Sequence, residues 1–302
     1  MTAKKKIVIV ALSDLSRDPR VNRQIDTFKP NWEVTVLGLT PPVHEGTIFH
    51  QIILKPFTLW HKIRKAVGLK CRQFEKVYWN DFEPESVNSI KHAIGDVMFD
   101  KVIANDVESL PFVFELFPKT AVFLDAHEYT PRHFEDLWKW RFFFQAFKQY
   151  ICKTYIPRCE KMSAVCDGIA REYEKNYKVP ATVVLNASPY RPNIPVRPTD
   201  PKQIRLIHHG ISNRSRHLED MVNMVKHLDD RYALDLMLVC NDPTYTQTLR
   251  RLVDQTPRVQ IIPAVAHQEI VPFISQYDIG IFMLRPINFN YEHGLPNKFF
   301  EF

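Results

Sequence analysis

Short apolar runs at 6–12, 33–39, 100–105, 121–126, 162–166 and 182–186, and again at 204–209, 234–240, 259–264 and 279–284, alternate with stretches of helical period at 19–28, 110–116, 217–228 and 245–253. Strands that are apolar on both faces and separated by helices must be covered on both sides. That is the pattern of parallel sheets wound through βαβ units. Two such series predict an α/β chain of two doubly wound, Rossmann-like domains. Between them, 186–203 carries Pro189, Pro192, Pro195, Pro198 and Pro201 without a regular apolar period, as a semi-rigid linker does. The reading sets an N-terminal domain at 1–190, a linker at 191–202 and a C-terminal domain at 203–302.

Composition narrows the partners. A length of 302 residues, with 45% hydrophobic and 25% charged, suits two globular domains. The net charge of +6 suits an anionic ligand or an anionic membrane surface, and no basic tail or arginine run points to nucleic acid. Five cysteines, an odd number without a C-x-x-C pair, argue against a zinc site and a disulfide framework, so a reducing cytoplasm fits. The start, Lys4 to Lys6 followed by an apolar run, imitates a signal peptide. The run is too short, and Asp14, Arg17 and Asp18 follow at once, so it reads as a first strand. No stretch has the apolar length to span a bilayer. Glycine is scarce, at 8, and neither G-x-G-x-x-G nor a P-loop is present, which weighs against a dinucleotide dehydrogenase or a P-loop kinase.

Candidate chemistry lies where strands end. After the first strand, Asp18 and Pro19 make a good helix start, placing Arg17 and Arg20 near the carboxyl edge of the sheet. They are candidates to meet an anion there, or are solvated charges. His127, between Asp125 and Glu128, closes the strand at 121–126. Its neutral ring suits a sugar hydroxyl and its cation a phosphate. The alternative is a structural histidine capped by Asp125. In the second series, His208-His209-Gly210 ends a strand and Arg216 precedes a helix, where a guanidinium can grip phosphate oxygens in pairs. Paired histidines without a third ligand at a sensible spacing do not make a metal site.

The stretch 134–161 interleaves Trp138, Trp140, Phe142, Phe143, Phe144, Phe147 and Tyr150 with Lys139, Arg141, Lys148 and Lys153. Two readings stand: one face buried as core, or peripheral contact with an anionic membrane at its inner face.

The end is the densest segment. An apolar run at 279–284 leads to Glu292-His293-Gly294-Leu295-Pro296-Asn297-Lys298-Phe299-Phe300-Glu301, which reads as a turn entering a helix, a natural anion site. The chain stops inside that element, so the second domain is expected to be incomplete, a truncated copy of a longer protein, less stable than the first and prone to associate through Phe299, Phe300 and Phe302.

Taken together, 6–24, with its Ser-Asp-x-x-Arg-Asp-Pro-Arg-Val, 124–128, 164–173, 183–186, 207–220 and 276–301 resemble the retaining glycosyltransferases of family 4, with the GT-B fold. The segments span nearly the whole chain in the family's order. Leu295 to Glu301 is especially similar to the donor-binding helix start of bacterial members that build surface polysaccharides. The resemblance implies that His127 faces the donor sugar and that Arg216 meets the donor diphosphate. It implies that Glu301 holds the nucleotide ribose and that the turn from Gly294 through Leu295, Pro296 and Asn297 offers amides beside Lys298 and Gly210. The acceptor, a glycan or a lipid-linked one, is expected near Arg17, Arg20 and Glu128. The donor would be a nucleotide diphosphate sugar, with no cofactor and no metal. Two departures stand out: the family's first glutamate of E-x7-E has no clean match, and its cation after the glycine is Ile211 here. A nucleotide-sugar epimerase of the same architecture and a non-catalytic nucleotide-binding fragment are the alternatives.

Overall fold

A computed structural model describes residues 4–95, 97–195 and 197–302. The chain divides into two compact units, Met1–Leu185 with Asn288–Gly294, and Asn186–Ile287 with Leu295–Phe302.

Among the described residues, unit 1 holds a seven-stranded parallel sheet. Its strands are β1 Lys5–Ala11, β2 Trp32–Gly38, β3 Ile48–Gln51, β4 Lys101–Asn105, β5 Val122–Ala126, β6 Lys161–Ala164 and β7 Ala181–Val183, in the order β3-β2-β1-β4-β5-β6-β7. The sequence pattern missed β3. It is a four-residue edge strand with only Ile48 and Phe49 apolar. The helices are α1 Pro19–Phe28, α2 Leu59–Lys70, α3 Phe74–Trp79, α4 Pro84–Ile94, α5 Leu110–Leu116, α6 Trp138–Trp140, α7 Ala146–Tyr155 and α8 Asp167–Tyr177. A π turn, Arg141–Gln145, joins α6 to α7.

Local chemistry fixes the ends. Asp18 caps α1 by accepting from the Val21 N–H at 3.1 Å, and Pro19 opens the helix. Val21 and Ile25 of α1 pack on Ile7, Ile9, Val34 and Val36, a core of side chains almost wholly out of water. The aromatic stretch divides: Trp140, Phe147, Ile151 and Tyr155 are buried, while Trp138 and Phe142 are exposed.

Among the described residues, unit 2 has a four-stranded parallel sheet, β8 Ile204–Ser212, β9 Tyr232–Cys240, β10 Val259–Pro263 and β11 Ile279–Gly280, ordered β10-β9-β8-β11. Helices α9 Leu218–Val225 and α10 Pro243–Asp254 cover it through Leu218, Met221, Val222, Leu249 and Val253. α11 Ile270–Ile274 precedes β11, which is shorter than the run 279–284 suggests.

The last two helices belong to different units. α12 Phe289–His293 lies in unit 1, where Asn290 Oδ1 accepts the Tyr129 N–H at 2.6 Å and Glu135 Oε1 accepts the Phe289 N–H at 2.9 Å. α13 Asn297–Glu301 lies in unit 2.

Candidate functional site

In unit 1 the carboxyl ends of β4 and β5 gather the first set of groups. His127 follows β5 directly. Its backbone N–H donates to Asp106 Oδ1 at 2.9 Å, and its Nδ1 lies 3.2 Å from Asp106 Oδ2. Its Nε2 lies 3.3 Å from Asn105 Oδ1 and 3.5 Å from Asp125 Oδ2. Burial works against a charged ring, but the Asp106 and Asp125 carboxylates outweigh it and raise the pKa to about 10. His127 is therefore an imidazolium at neutral pH, a hydrogen-bond donor and not a base. It borders a cavity of about 320 Å³ with Ser13, Asp18, Asp106, Glu108 and Glu128. A cavity so rich in carboxylates repels anions and suits the hydroxyls of a sugar, which donate to carboxylates.

Asp106 leaves β4 with φ 59° and ψ 154°. That region is close to glycine-only and costs of order 1–3 kcal/mol, so the surroundings must hold it there.

Asp125 is the hub beneath His127. Arg20 grips it in bidentate fashion, Nε to Oδ2 at 2.6 Å and Nη2 to Oδ1 at 2.5 Å. Ser163 Oγ donates to Oδ1 and Gln24 Nε2 to Oδ2, each at 2.6 Å. Burial opposes its charge, yet His127 and Arg20 hold the Asp125 carboxyl well below the usual carboxylate range. The structure thus commits Arg20, expected near the acceptor, to an internal ion pair. Its guanidinium also donates to the Val184 carbonyl at 3.1 Å and lines another cavity, of about 590 Å³, with Gln24, Asp125 and Ser163. Arg17 is 87% exposed, 3.8 Å from Asp14 Oδ2, and does not border the His127 cavity. Glu128 borders it and pairs with His133.

Unit 2 gathers the second set around the end of β8. Gly210 has φ 138°, and a Cβ there would stand 2.9 Å from both Cε and Nζ of Lys298. The missing side chain is what lets the lysine lie along the strand. Lys298 Nζ stands 5.0 Å from the Phe282 ring centre and the Arg216 guanidinium 5.7 Å from it. Burial, and then the Arg216 charge, lower the Lys298 pKa to about 8, with Glu301 opposing. Two cations held near one another and partly dried favour an anion between them. His208 stays neutral: burial lowers its pKa to about 3, and its Nδ1–H donates to the Ile281 carbonyl at 2.8 Å.

The sequence matches no protein-family model and no curated protein. Solved structures resemble the chain closely enough to define its fold. Anabaena HepE in complex with UDP and glucose gives a TM-score of 0.61 at 11% identity, over 93% of this chain and 74% of that one. Sucrose-phosphate synthase from Thermosynechococcus elongatus gives 0.66 at 12%, over 92% and 75%. The lipopolysaccharide outer core galactosyltransferase WaaB gives 0.59 at 12%, over 92% and 74%. The fold is that of the GT-B glycosyltransferases. Identities this low carry the fold alone.

Of the residues expected at the donor, Gly210, Arg216, Lys298 and Glu301 come together in unit 2. Glu301 is buried, with Oε2 3.1 Å from His209 Nε2. The expected amide turn is divided by unit, with Gly294 in unit 1 and Leu295, Pro296 and Asn297 in unit 2. Gly294 is needed for packing, since a Cβ would stand 2.4 Å from the Asn290 carbonyl oxygen. Ile211 is exposed. Sequence reasoning missed Asp106, and named Asp125 only as a cap. A polar residue directly after each of two adjacent apolar strands was the signal.

Proposed function

We propose that this protein is a glycosyltransferase that moves a sugar from a nucleoside diphosphate sugar to an acceptor hydroxyl, with retention at the anomeric carbon. The family 4 type, acting in glycan or surface-polysaccharide synthesis, is the reading the sequence motifs support. The observation that carries it is the Gly210–Lys298–Arg216 arrangement, in which a glycine gives way to a half-buried lysine beside a second cation. Supporting it, HepE is described in complex with UDP-glucose, and a trehalose-6-phosphate protein from E. coli bound with UDP-2-fluoro glucose matches with a TM-score of 0.55.

In this reading the bond from the anomeric carbon to the diphosphate oxygen breaks and a bond to the acceptor oxygen forms. The acceptor's proton ends on the departing diphosphate or in solvent. Charge develops on the leaving diphosphate, and Arg216 and Lys298 are preorganised to meet it. They supply the positive field without a metal. Glu301 takes the ribose. The His127 cavity takes sugar hydroxyls, its carboxylates accepting and the imidazolium donating. A protonated His127 cannot remove the acceptor's proton, so its part is electrostatic and positional. Gln in its place keeps a donor without the charge.

The test is calorimetry with UDP-glucose, UDP and uridine. Arg216→Ala is expected to weaken the diphosphate ligands on the order of 10- to 100-fold, as a lost charge-assisted hydrogen bond does, and to spare the nucleoside. Equal losses for all three, or no binding of any nucleoside diphosphate, would refute the reading. Sugar release without acceptor would indicate an epimerase or hydrolase instead.

A further inference from the structure

Helix α2 is turned inside out. Over 12 residues it buries His61, Gly68 and Leu69 and leaves Leu59, Trp60, Ile63 and Val67 in water, 72%, 75%, 45% and 58% exposed. At 100° per residue those four fall within about 100° of arc, so they form one continuous stripe. Phe57, just before the helix, adds to it. Lys70, the last residue of α2, sits over the Phe142 ring in the π turn, and Phe142, Trp138 and Leu137 are exposed too. The stripe on α2 and the outer side of the aromatic stretch are therefore continuous, all within unit 1. Isolated exposed apolar residues need no explanation, but a rimmed patch of this size marks an interaction surface.

The charge around it decides the partner. Residues 46–74 contain six Lys and Arg and no Asp or Glu. Lys65 is spent internally on Asp81, at 2.5 Å, while Lys62, Arg64, Lys70 and Arg72 are exposed. The next acid, Glu75, is occupied by the Tyr150 and Tyr155 hydroxyls at 2.8 and 2.7 Å. A second copy of the chain would bring like charges together. A surface that is apolar below and uniformly negative above matches both features.

The geometry points to a peripheral docking face for an anionic lipid membrane, with Leu59, Trp60, Ile63 and Val67 in the interfacial layer and Lys62, Arg64 and Lys70 against headgroup phosphates. Tryptophan suits that depth, its ring apolar and its N–H near water. α2 lies flat on such a surface; its length is too short to cross. The aromatic stretch enters only through its first part, because α7 is committed to the core. This placement is independent of the catalytic reading, and its test needs neither donor nor turnover.

The experiment is sedimentation of the whole chain with vesicles of phosphatidylglycerol mixed with phosphatidylcholine, and with phosphatidylcholine alone. Binding is expected to the anionic vesicles and to weaken with salt. Trp60→Ser with Val67→Ser is expected to lower the partition at least ~10-fold, since two side chains lose apolar burial. Lys62→Gln, Arg64→Gln and Lys70→Gln together lower it on the order of 100-fold at low salt. All these side chains are exposed, so circular dichroism melts should be unchanged, which separates lost docking from lost fold. Failure to bind anionic vesicles, equal binding to neutral ones, variants that bind like the parent, or a dimer in solution that the apolar variant dissolves would each overturn the proposal.

Discussion

Asp106 holds His127 from two directions at once: one carboxylate oxygen accepts the histidine's backbone N–H at 2.9 Å and the other faces its Nδ1 at 3.2 Å. The backbone of Asp106 is strained to φ 59° to reach that position. The strain has a visible return, because the same carboxylate keeps the ring charged and oriented toward the cavity.

Asp106→Asn should therefore uncouple the two. The amide oxygen still accepts the backbone N–H, but the charge is gone. The His127 pKa, about 10 in the parent, should fall, because burial still lowers it and only Asp125 is left to raise it. The parent's pKa is raised on folding, so His127 contributes stability fully below pH 6.5, and that contribution is lost as the pH rises through 10. Thermal unfolding of parent and variant should differ most near pH 6 and converge above 10. An unchanged imidazole titration by NMR would remove Asp106 from this role.

Arg20 offers a contrast between binding and folding. Its guanidinium and Asp125 are both almost wholly buried. Arg20→Met removes the bidentate partner of a buried carboxylate and leaves it only His127, Ser163 and Gln24, so the loss should approach the roughly 3–5 kcal/mol of a broken buried pair without exceeding it. Adding Asp125→Asn should recover part of that loss, since the charge goes with its partner. A full-strength melting curve for the single variant, with only an acceptor KM altered, would return Arg20 to the acceptor.

The parallel sheets were legible because β1, β4 and β5 carry unbroken apolar runs and β2 breaks its run, Val34 to Leu37, only at Thr35, a pattern that burial on both faces explains. α2 was not legible as a packed helix, because its buried side is His61, Gly68 and Leu69 and its apolar side faces out. The Arg20–Asp125 pair joins residues 105 apart, and nothing local announces it. The strain at Asp106 was equally hidden, since its backbone lies at φ 59° and ψ 154°, a region close to glycine-only that nothing local announces at an aspartate. Nor does the sequence show that 288–294 leaves its neighbours to join unit 1. That depends on Asn290, a polar residue, being buried against the Tyr129 backbone.

Lys298 should report ligand binding through its proton. Its pKa of about 8 lies below the ordinary lysine value of 10.5. Between those two values the unfolded chain holds a proton that the folded chain has released. The penalty on folding is thus full below pH 8 and relieved as the pH rises toward 10.5. A bound diphosphate reverses this by stabilising the ammonium. Calorimetry of UDP in buffers of different ionisation enthalpy should show proton uptake between pH 8 and 10.5, with affinity falling as the pH rises through 8. Arg216→Ala should move the onset of uptake upward, because the free lysine is then less strained. No proton uptake at any pH would place the diphosphate elsewhere.

Gly210→Ala tests the close approach itself. The Cβ would stand 2.9 Å from Lys298 Cε and Nζ, but a lysine end can swing aside. The backbone at φ 138° cannot relax so easily, so the strain, of order 1–3 kcal/mol, falls on unit 2. The lysine pushed from the strand should lose its contact with a diphosphate, weakening UDP on the order of 10- to 100-fold. Uridine, without phosphate, should bind as before. Hydrogen exchange is expected to quicken in β8 and to leave β1 and β5 unchanged. An alanine variant that binds UDP with parental affinity would show that Lys298 does not need the space at Gly210, and the anion site would lose the observation it rests on.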